Sequence, residues 1–506
     1  MSSEPKKVDR RSFLYVGLGA VALIAIGAAA YFATKPPEVI TVTQPTTTAV
    51  TTVVTQPTTT VVTTTTATTV TTATTATITP STKKVVFWYG GPWIAAEQAV
   101  ILSLIREFEE KTGIKVELTF TPHLELYPKF VAAMEAKQGP DIIWLHQPFV
   151  TLYSWRGALA EISDIIDPVK DDIYPIGLEA MRQYNNVEKK WGYYGIPLGW
   201  ASNFCHVRTD LLEQAGYDWK TLSQLSWDEF WGAFKKTQQV TGVPAIGLSV
   251  SSTAGMGDPF DNLDTFISLF GGTVLTEDRK LNLDDPKTKE AMINATKFLT
   301  DLYFGGWMPP GVDTWGDADN NSAFQTGKCV MTLNPTMSIP MWMTLNRIDL
   351  YNEKTATIPY PPSPDGQARS PPIEWRMYGV INPEYSANKN AEDAKKLMAF
   401  LLTNKDNYKR YITGFGYLLP LYKSFEEMQG VKWTNPADRH YPQALQYIKR
   451  NPKVNPFVVV PPYAQVRQEN VWGGILGKVI VDKWKIEDAV NWGIERAKAI
   501  FEQFKG

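Results

Sequence analysis

The histidines, cysteines and carboxylates of this chain are few and scattered, and their spacing builds no reactive centre. The 506 residues hold four histidines (His123, His146, His206, His440) and two cysteines (Cys205, Cys329). No two histidines stand at the H-x-x-x-H spacing of a zinc site, and the cysteines are far apart in the chain. Neither a Gly-x-Ser-x-Gly elbow nor a phosphate-cradling Gly-Lys loop occurs. Asp171-Asp172 and Asp284-Asp285 sit in polar, Pro-flanked stretches and read as solvated loops, not as the acid and base of glycoside hydrolysis. Catalytic residues, metals and cofactors are therefore expected to be absent. What remains is binding chemistry, because aromatic residues stand beside hydrogen-bonding groups at the ends of strands. A flat ring can cover the apolar face of a pyranose while polar neighbours take its hydroxyls. Buried polar groups left unpaired then enforce specificity.

Those groups need a scaffold, and its pattern is alternating strand and helix. The stretch Gly139–Ile162 opens with a Gly-Pro turn and runs into Ile142–Leu145, an apolar run short enough for a strand buried on both faces. It leaves through His146-Gln147-Pro148, where a parallel α/β sheet keeps its ligand crevice. Upstream, Val85–Tyr89 is a second such run. Glu97–Lys111 follows as a helix with Ile101, Leu104, Ile105 and Phe108 on one face and Gly113 at its end. Val116, Leu118 and Phe120 alternate as a strand does, and Tyr127–Ala136 makes the next helix. The start is doubly wound α/β. Farther on, Ser226 and Glu229 form a capping box ahead of a helix whose Trp227 and Trp231 face the core. Ala245–Val250 reads as a strand, Ser251–Asp261 as a loop and Lys289–Tyr303 as a helix.

A net charge of −2 gives no electrostatic footprint for nucleic acid. Two segments stand apart from the fold. Lys6, Lys7, Arg10 and Arg11 precede an unbroken apolar run, Phe13–Ala33, long enough to cross a bilayer core of about 30 Å. The basic flank keeps the N-terminus in the cytoplasm and places everything after Thr34 outside. Asp9–Leu14 also resembles a twin-arginine export signal, with cleavage near Ala28–Ala30 as the alternative to a retained anchor. Ile40–Thr82 is more than half Thr and uncharged, the composition of a stalk.

KKVVFWYGG, IREFEEKTGIKVEL, GPDIIWLHQ and GALAEI, in that order, resemble the maltose-binding branch of extracellular solute-binding proteins, the receptors of ABC importers. The resemblance runs from Lys83 to Gly506. It implies an α/β, two-lobed periplasmic-binding-protein-like fold (type II, maltose-binding-like) with three inter-lobe crossings. Residues 83–199 with 359–424 would form the first lobe, and 200–358 with 425–506 the second, after an anchor (1–34) and stalk (35–82). Phe324–Leu333 resembles the family's Gly-Lys-x-x-Met strand, Ile358–Gly366 the second crossing, Glu374–Asn382 its return strand, and Gly416–Met428 the third crossing. His206–Thr209 departs from the family's usual Tyr-Tyr-Asn-Lys.

Carrying the family's cleft onto this chain implies a set of ligand-binding positions. Trp93, His146 and Gln147 follow strands of the first lobe, and Trp200, Ser202 and Asn203 lie at the first crossing. Asp258, Asp261, Asn262, Trp315, Asp317, Asn334 and Met337 belong to the second lobe. Trp375 lies on the return strand, and Tyr463, Arg467 and Glu469 precede the closing helical region. The resemblance also puts Cys205 and Cys329 on neighbouring, parallel strands, as two buried thiols or as a disulfide closing a loop of about 120 residues. Asn294 and Asn320 carry glycosylation sequons, with loop exposure favouring Asn320.

The expectation is a monomeric, membrane-anchored receptor on the extracellular face that captures a sugar, an oligosaccharide above all, by hinge closure. It would deliver the sugar to an ABC permease. A same-fold receptor for a peptide or polyamine is the first alternative, with Asp258, Asp261, Asp317 and Glu469 suited to a cation. A surface glycoside-active enzyme or a cell-envelope protein is the second.

Overall fold

Val85, Phe87 and Tyr89 alternate with half-buried residues along β1 (Lys84–Gly90), and their side chains are wholly buried, so the period-two pattern sets one face against the core. The computed structural model describes residues 84–91, 95–360, 363–367, 369, 373–428, 431–450 and 459–505. The apolar run Phe13–Ala33, the stalk Ile40–Thr82 and Trp93 lie outside the described residues. No helix among the described residues is long and apolar enough to cross a membrane.

The helix Ala95–Thr112 buries Ile101, Leu104, Ile105 and Phe108 as its periodicity requires, and Gly113 ends it in the left-handed region (φ 70°). Next come β2 (Lys115–Thr121), the helix His123–Glu135, β3 (Ile142–His146) and the helix Gln147–Trp155. The helix at His123 starts four residues before the expected Tyr127 and carries Pro128 inside it. A small hairpin, β4 (Arg182–Asn185) and β5 (Lys190–Tyr193), leads into β6 (Ile196–Ser202).

The first sheet has the order β2-β1-β3-β11-β6, where β11 (Ile373–Val380) is the return strand and runs antiparallel to both its neighbours. The second sheet has the order β10-β7-β9-β8, made of β7 (Phe204–Arg208), β8 (Ile246–Gly247), β9 (Met331–Asn334) and β10 (Thr355–Ile358). Both sheets belong to one unit, Pro80–Gly506. The chain passes between them at Asn203, since β6 keeps pairing with β11 up to Ser202 opposite Ile373. Trp200–Ser202 therefore belong to the first sheet, although the reading of the sequence began the second lobe at 200.

Three stretches of the second lobe differ from the reading of the sequence. Only Ile246–Gly247 of the expected strand Ala245–Val250 joins the ladder. A helix begins at Asp258, inside the expected loop, with Pro259 in the first turn where its missing N–H costs nothing. The expected strand Phe324–Leu333 is two elements. Phe324 closes the helix Asp319–Gln325, Gly327 (φ 76°) turns the chain, and β9 starts only at Met331.

Cys205 and Cys329 are free, buried thiols. β7 and β9 run antiparallel, where parallel neighbours were expected, and Cys205 stands opposite Leu333. Cys329 lies four residues back along the chain, roughly 13 Å at strand rise and beyond disulfide reach. Asn320 lies in a helix, not in an exposed loop. It is buried, and its amide donates to the Leu333 carbonyl (3.0 Å) and to Asn334 Oδ1 (3.2 Å), which leaves no room for a glycan. Asn294 is exposed on the helix Pro286–Phe304.

Candidate binding cleft

The end of β3 sets the floor of the site. A strand buried on both faces delivers His146, itself 4 % exposed, as the N-cap of the helix Gln147–Trp155. Its ring meets Trp144 and Tyr127 edge-on, at centroid distances of 5.2 and 5.5 Å. Opposite it in register on β11 stands Arg376, also buried, where β11 shifts register against β6.

From the second lobe comes a polar turn after β9. Asn334 Nδ2 donates to the Thr336 carbonyl (2.7 Å) and to Ser338 Oγ (3.1 Å), folding Pro335-Thr336 into a fixed loop. The Ser202 N–H reaches across to the Pro335 carbonyl (3.1 Å) and ties that loop to β6. The helix Pro461–Gln468 packs against Gln147–Trp155 of the first lobe and carries Arg467.

Arg467 holds Asp261 with both arms of its guanidinium, Nε to Oδ1 at 2.9 Å and Nη2 to Oδ2 at 2.6 Å. Both side chains are under a tenth exposed, so this bidentate pair is desolvated and directional. A Cβ at Gly257 would come within 2.8 Å of the Arg467 guanidinium, so a glycine there lets the arginine lie flat. Behind the pair, Tyr463 and Trp472 (3.3 Å) donate to Asp264, whose carboxyl burial pushes above the usual carboxylate range.

These pieces line a small, partly open cavity of about 30 Å³ between the lobes. His146 and Arg376 line it from the first sheet. Gly257, Asp258, Asp317, Asn321, Asn334, Pro335, Thr336, Ser338 and Arg467 line it from the second lobe. With two guanidiniums, two lining carboxylates, amides, hydroxyls and an imidazole, the wall offers both donors and acceptors. That suits a polyhydroxylated solute better than an ion of one sign. Among the described residues no group of His, Cys, Asp and Glu could hold a metal ion.

Five of the residues predicted from the sequence thus meet in one place: His146, Asp258, Asp317, Asn334 and Arg467. Trp93 is outside the described residues, and the remaining predicted residues are not among those lining this cavity. Gln147 is wholly buried and donates to the Ala180 carbonyl (3.1 Å). Trp200 is 3 % exposed, edge-on to Tyr174, with its backbone paired to Leu419. Ser202 contributes its backbone, Asn203 donates to Thr265 Oγ1 (3.1 Å) and Asn262 to the Ser249 carbonyl (3.3 Å). Met337 and Tyr463 are core residues, and Asp261 serves Arg467. Trp315 is half-buried against the core, and Trp375 lies on β11 opposite Trp200 in register. Glu469 faces outward and accepts from Arg496 (2.8 Å).

Arg376 was missed, though its signal was present: a cation in the middle of the apolar strand IEWRMYGV. Thr336 and Ser338 were signalled by Asn334-Pro335, which breaks a buried strand with polar residues.

Residues 103–442 match the family model described as "Bacterial extracellular solute-binding protein". An arabinooligosaccharide-binding protein of Halalkalibacterium halodurans is 23 % identical over 224 residues, which cover 44 % of this chain and 46 % of that protein. The chain thus spans about half the length of this curated relative. The fold is similar to maltose-bound MalE3 of T. maritima (TM-score 0.66, 22 % identity, 82 % of this chain and 99 % of that one). It is also similar to an ABC transporter solute-binding protein of Thermotoga lettingae bound with α-D-tagatose (TM-score 0.69, 22 % identity, 83 % and 99 %).

Proposed function

This chain belongs to the bacterial extracellular solute-binding protein family, and on that premise we propose that it is an extracytoplasmic receptor that captures a sugar between its lobes and hands it to an ABC permease. The observation that carries this reading is the pocket. Arg376 and His146 from one sheet and Asn334, Asp258, Asp317 and Arg467 from the other lobe line one cavity. A solute held by both walls favours the closed form over the open one by its differential contacts, and that shift is the signal a permease can read. The named ligands of the relatives, arabinooligosaccharide, maltose and tagatose, support a sugar.

A cationic solute fits less well. Asp261 is neutralised by Arg467 and Glu469 by Arg496, and the remaining Asp258 and Asp317 share their pocket with Arg376. The receptor does no covalent chemistry in this reading. Phe13–Ala33 would anchor it and the Thr-rich stalk would hold it near its permease, where tethering raises the effective concentration. Asn294 is the exposed sequon for an N-glycan.

The test is calorimetric titration of the full chain with maltose, arabinooligosaccharides and tagatose, beside spermidine and a mixed tripeptide. Saturable binding of a sugar supports the proposal. Binding confined to spermidine or the peptide overturns it.

A further inference from the structure

The polar turn after β9 and the helix Asp319–Gln325 bring three side-chain amides and two hydroxyls together beside the cleft. Asn320 is satisfied at both ends. Its Oδ1 accepts from the Asn321 N–H (2.8 Å), and its Nδ2 donates to the Leu333 carbonyl and to Asn334 Oδ1. The last of these bonds completes Asn334 as well, since its own Nδ2 donates to the Thr336 carbonyl and to Ser338 Oγ. Asn321 is satisfied at one end only. Its Nδ2 donates to Ser338 Oγ (2.9 Å), while its Oδ1 is closed to solvent and accepts from no group among the described residues. Folded proteins seldom leave a buried acceptor without a partner, because its lost hydration is not repaid.

Ser338 is its counterpart. Thr336 Oγ1 already accepts from the Ser338 N–H (3.2 Å) and from Asn334 Nδ2 (3.2 Å), so its own proton goes to Ser338 Oγ (3.0 Å). Ser338 Oγ therefore meets three donors, from Asn321, Asn334 and Thr336, and none of these bonds uses the Ser338 proton. Asn321 and Ser338 both line the cavity between the lobes. A spare acceptor and a spare donor thus stand side by side in its wall. An ammonium only donates and a carboxylate only accepts, whereas a hydroxyl does both through one oxygen. At about 30 Å³ the cavity has room for one or two water-sized groups. A hydroxyl or hydroxymethyl arm fits that space, and the sugar ring carrying it stays at the open side.

We infer that Asn321 and Ser338 form a specificity subsite that reads one hydroxyl of the solute, which donates to Asn321 Oδ1 and accepts from the Ser338 hydroxyl. The inference rests on the sugar reading proposed above and narrows it to sugars that present this hydroxyl. A solute without it leaves both groups unpaired, and a site built to hydrogen-bond a hydroxyl rejects the analogue that lacks it.

Calorimetric titration of the full chain with maltose, arabinobiose and tagatose, each beside its monodeoxy analogues, tests this in the unaltered protein, Asn321→Leu and Ser338→Ala. For a parent sugar that binds, the unaltered protein should reject one deoxy analogue by about tenfold to a hundredfold. Asn321→Leu, similar in volume but without the amide, should weaken the parent by the same factor and hold parent and that analogue alike. Ser338→Ala should narrow the difference in part, and it serves if Asn321→Leu does not fold. A structural role alone would weaken the parent and every analogue equally and keep the rejection. That result, or an unaltered protein that binds a parent sugar and rejects no analogue, overturns the subsite and leaves the sugar reading standing. Failure of all three parents to bind is a failure of the sugar reading itself, and the subsite falls with it.

Discussion

Asp261→Ala separates two roles that the sequence alone could not. A carboxylate in a cleft can accept from a solute, or it can hold another side chain in place. Here both oxygens are taken by Arg467 at 2.9 and 2.6 Å, and neither partner is more than a tenth exposed. Removing Asp261 breaks a buried, bidentate ion pair by taking away one partner, which costs about 3–5 kcal/mol. Unfolding entropy of about 2.1 cal/mol/K per residue, over the roughly 420 residues of the folded unit, makes each kcal/mol worth about 1 °C. The expected fall in melting temperature is therefore about 3–6 °C, readable by differential scanning calorimetry. Arg467→Met added to Asp261→Ala should restore much of it, because the pair is then replaced by apolar volume and not broken. Unchanged melting together with lost sugar binding in Asp261→Ala would refute the reasoning and return Asp261 to the solute.

Other perturbations follow from the same geometry. Trp200→Ala should lower stability by about 3–5 kcal/mol, as truncating a large buried ring does, and Trp227→Ala should act likewise with sugar affinity intact. Trp227 packs against Trp231, Phe270 and Phe298, so a loss of binding confined to Trp227→Ala in titration would contradict its core assignment. Burial lowers His206 and His440, joined through Thr357 at 3.0 Å to each ring, to about 3. Both are neutral when folded and protonate when unfolded, so their contribution is full above the unfolded value of about 6.5 and is lost as pH falls from there toward 3. Urea unfolding across that range should show His440→Gln with a shallower acid slope. Finally, Cys205 and Cys329 should react with a thiol reagent only after unfolding, since burial raises both thiols, Cys329 to about 12; two thiols counted without reductant confirm the free state.

Periodicity made the first lobe legible. β1, β3 and the helix Ala95–Thr112 follow from alternation and from the 3.6-residue stripe because each buries its apolar face against one core. The capping box at Ser226 and Glu229 was readable for a local reason, since both its bonds close within four residues. The site was half legible. His146 and Asn334 could be placed because they end buried strands. Trp200 and Asp261 pack on partners remote in sequence, Tyr174, Leu419 and Arg467, and local pattern does not show which wall a side chain packs on. Phe324 was read as strand because the resemblance carried the strand back through Gly327-Lys328, whereas Gly327's left-handed turn ends a helix there and the strand starts at Met331.

The central claim is that a sugar is held by both lobes at once, and native mass spectrometry of the full chain with a maltose, arabinooligosaccharide and tagatose panel tests it most directly. Arg376 from the first sheet and Asn334 from the second lobe line the same pocket. One sugar adduct per chain is expected, retained by the unaltered protein and lost in both Arg376→Ala and Asn334→Ala. An adduct that survives undiminished in both variants, or a chain that retains only spermidine, would contradict it.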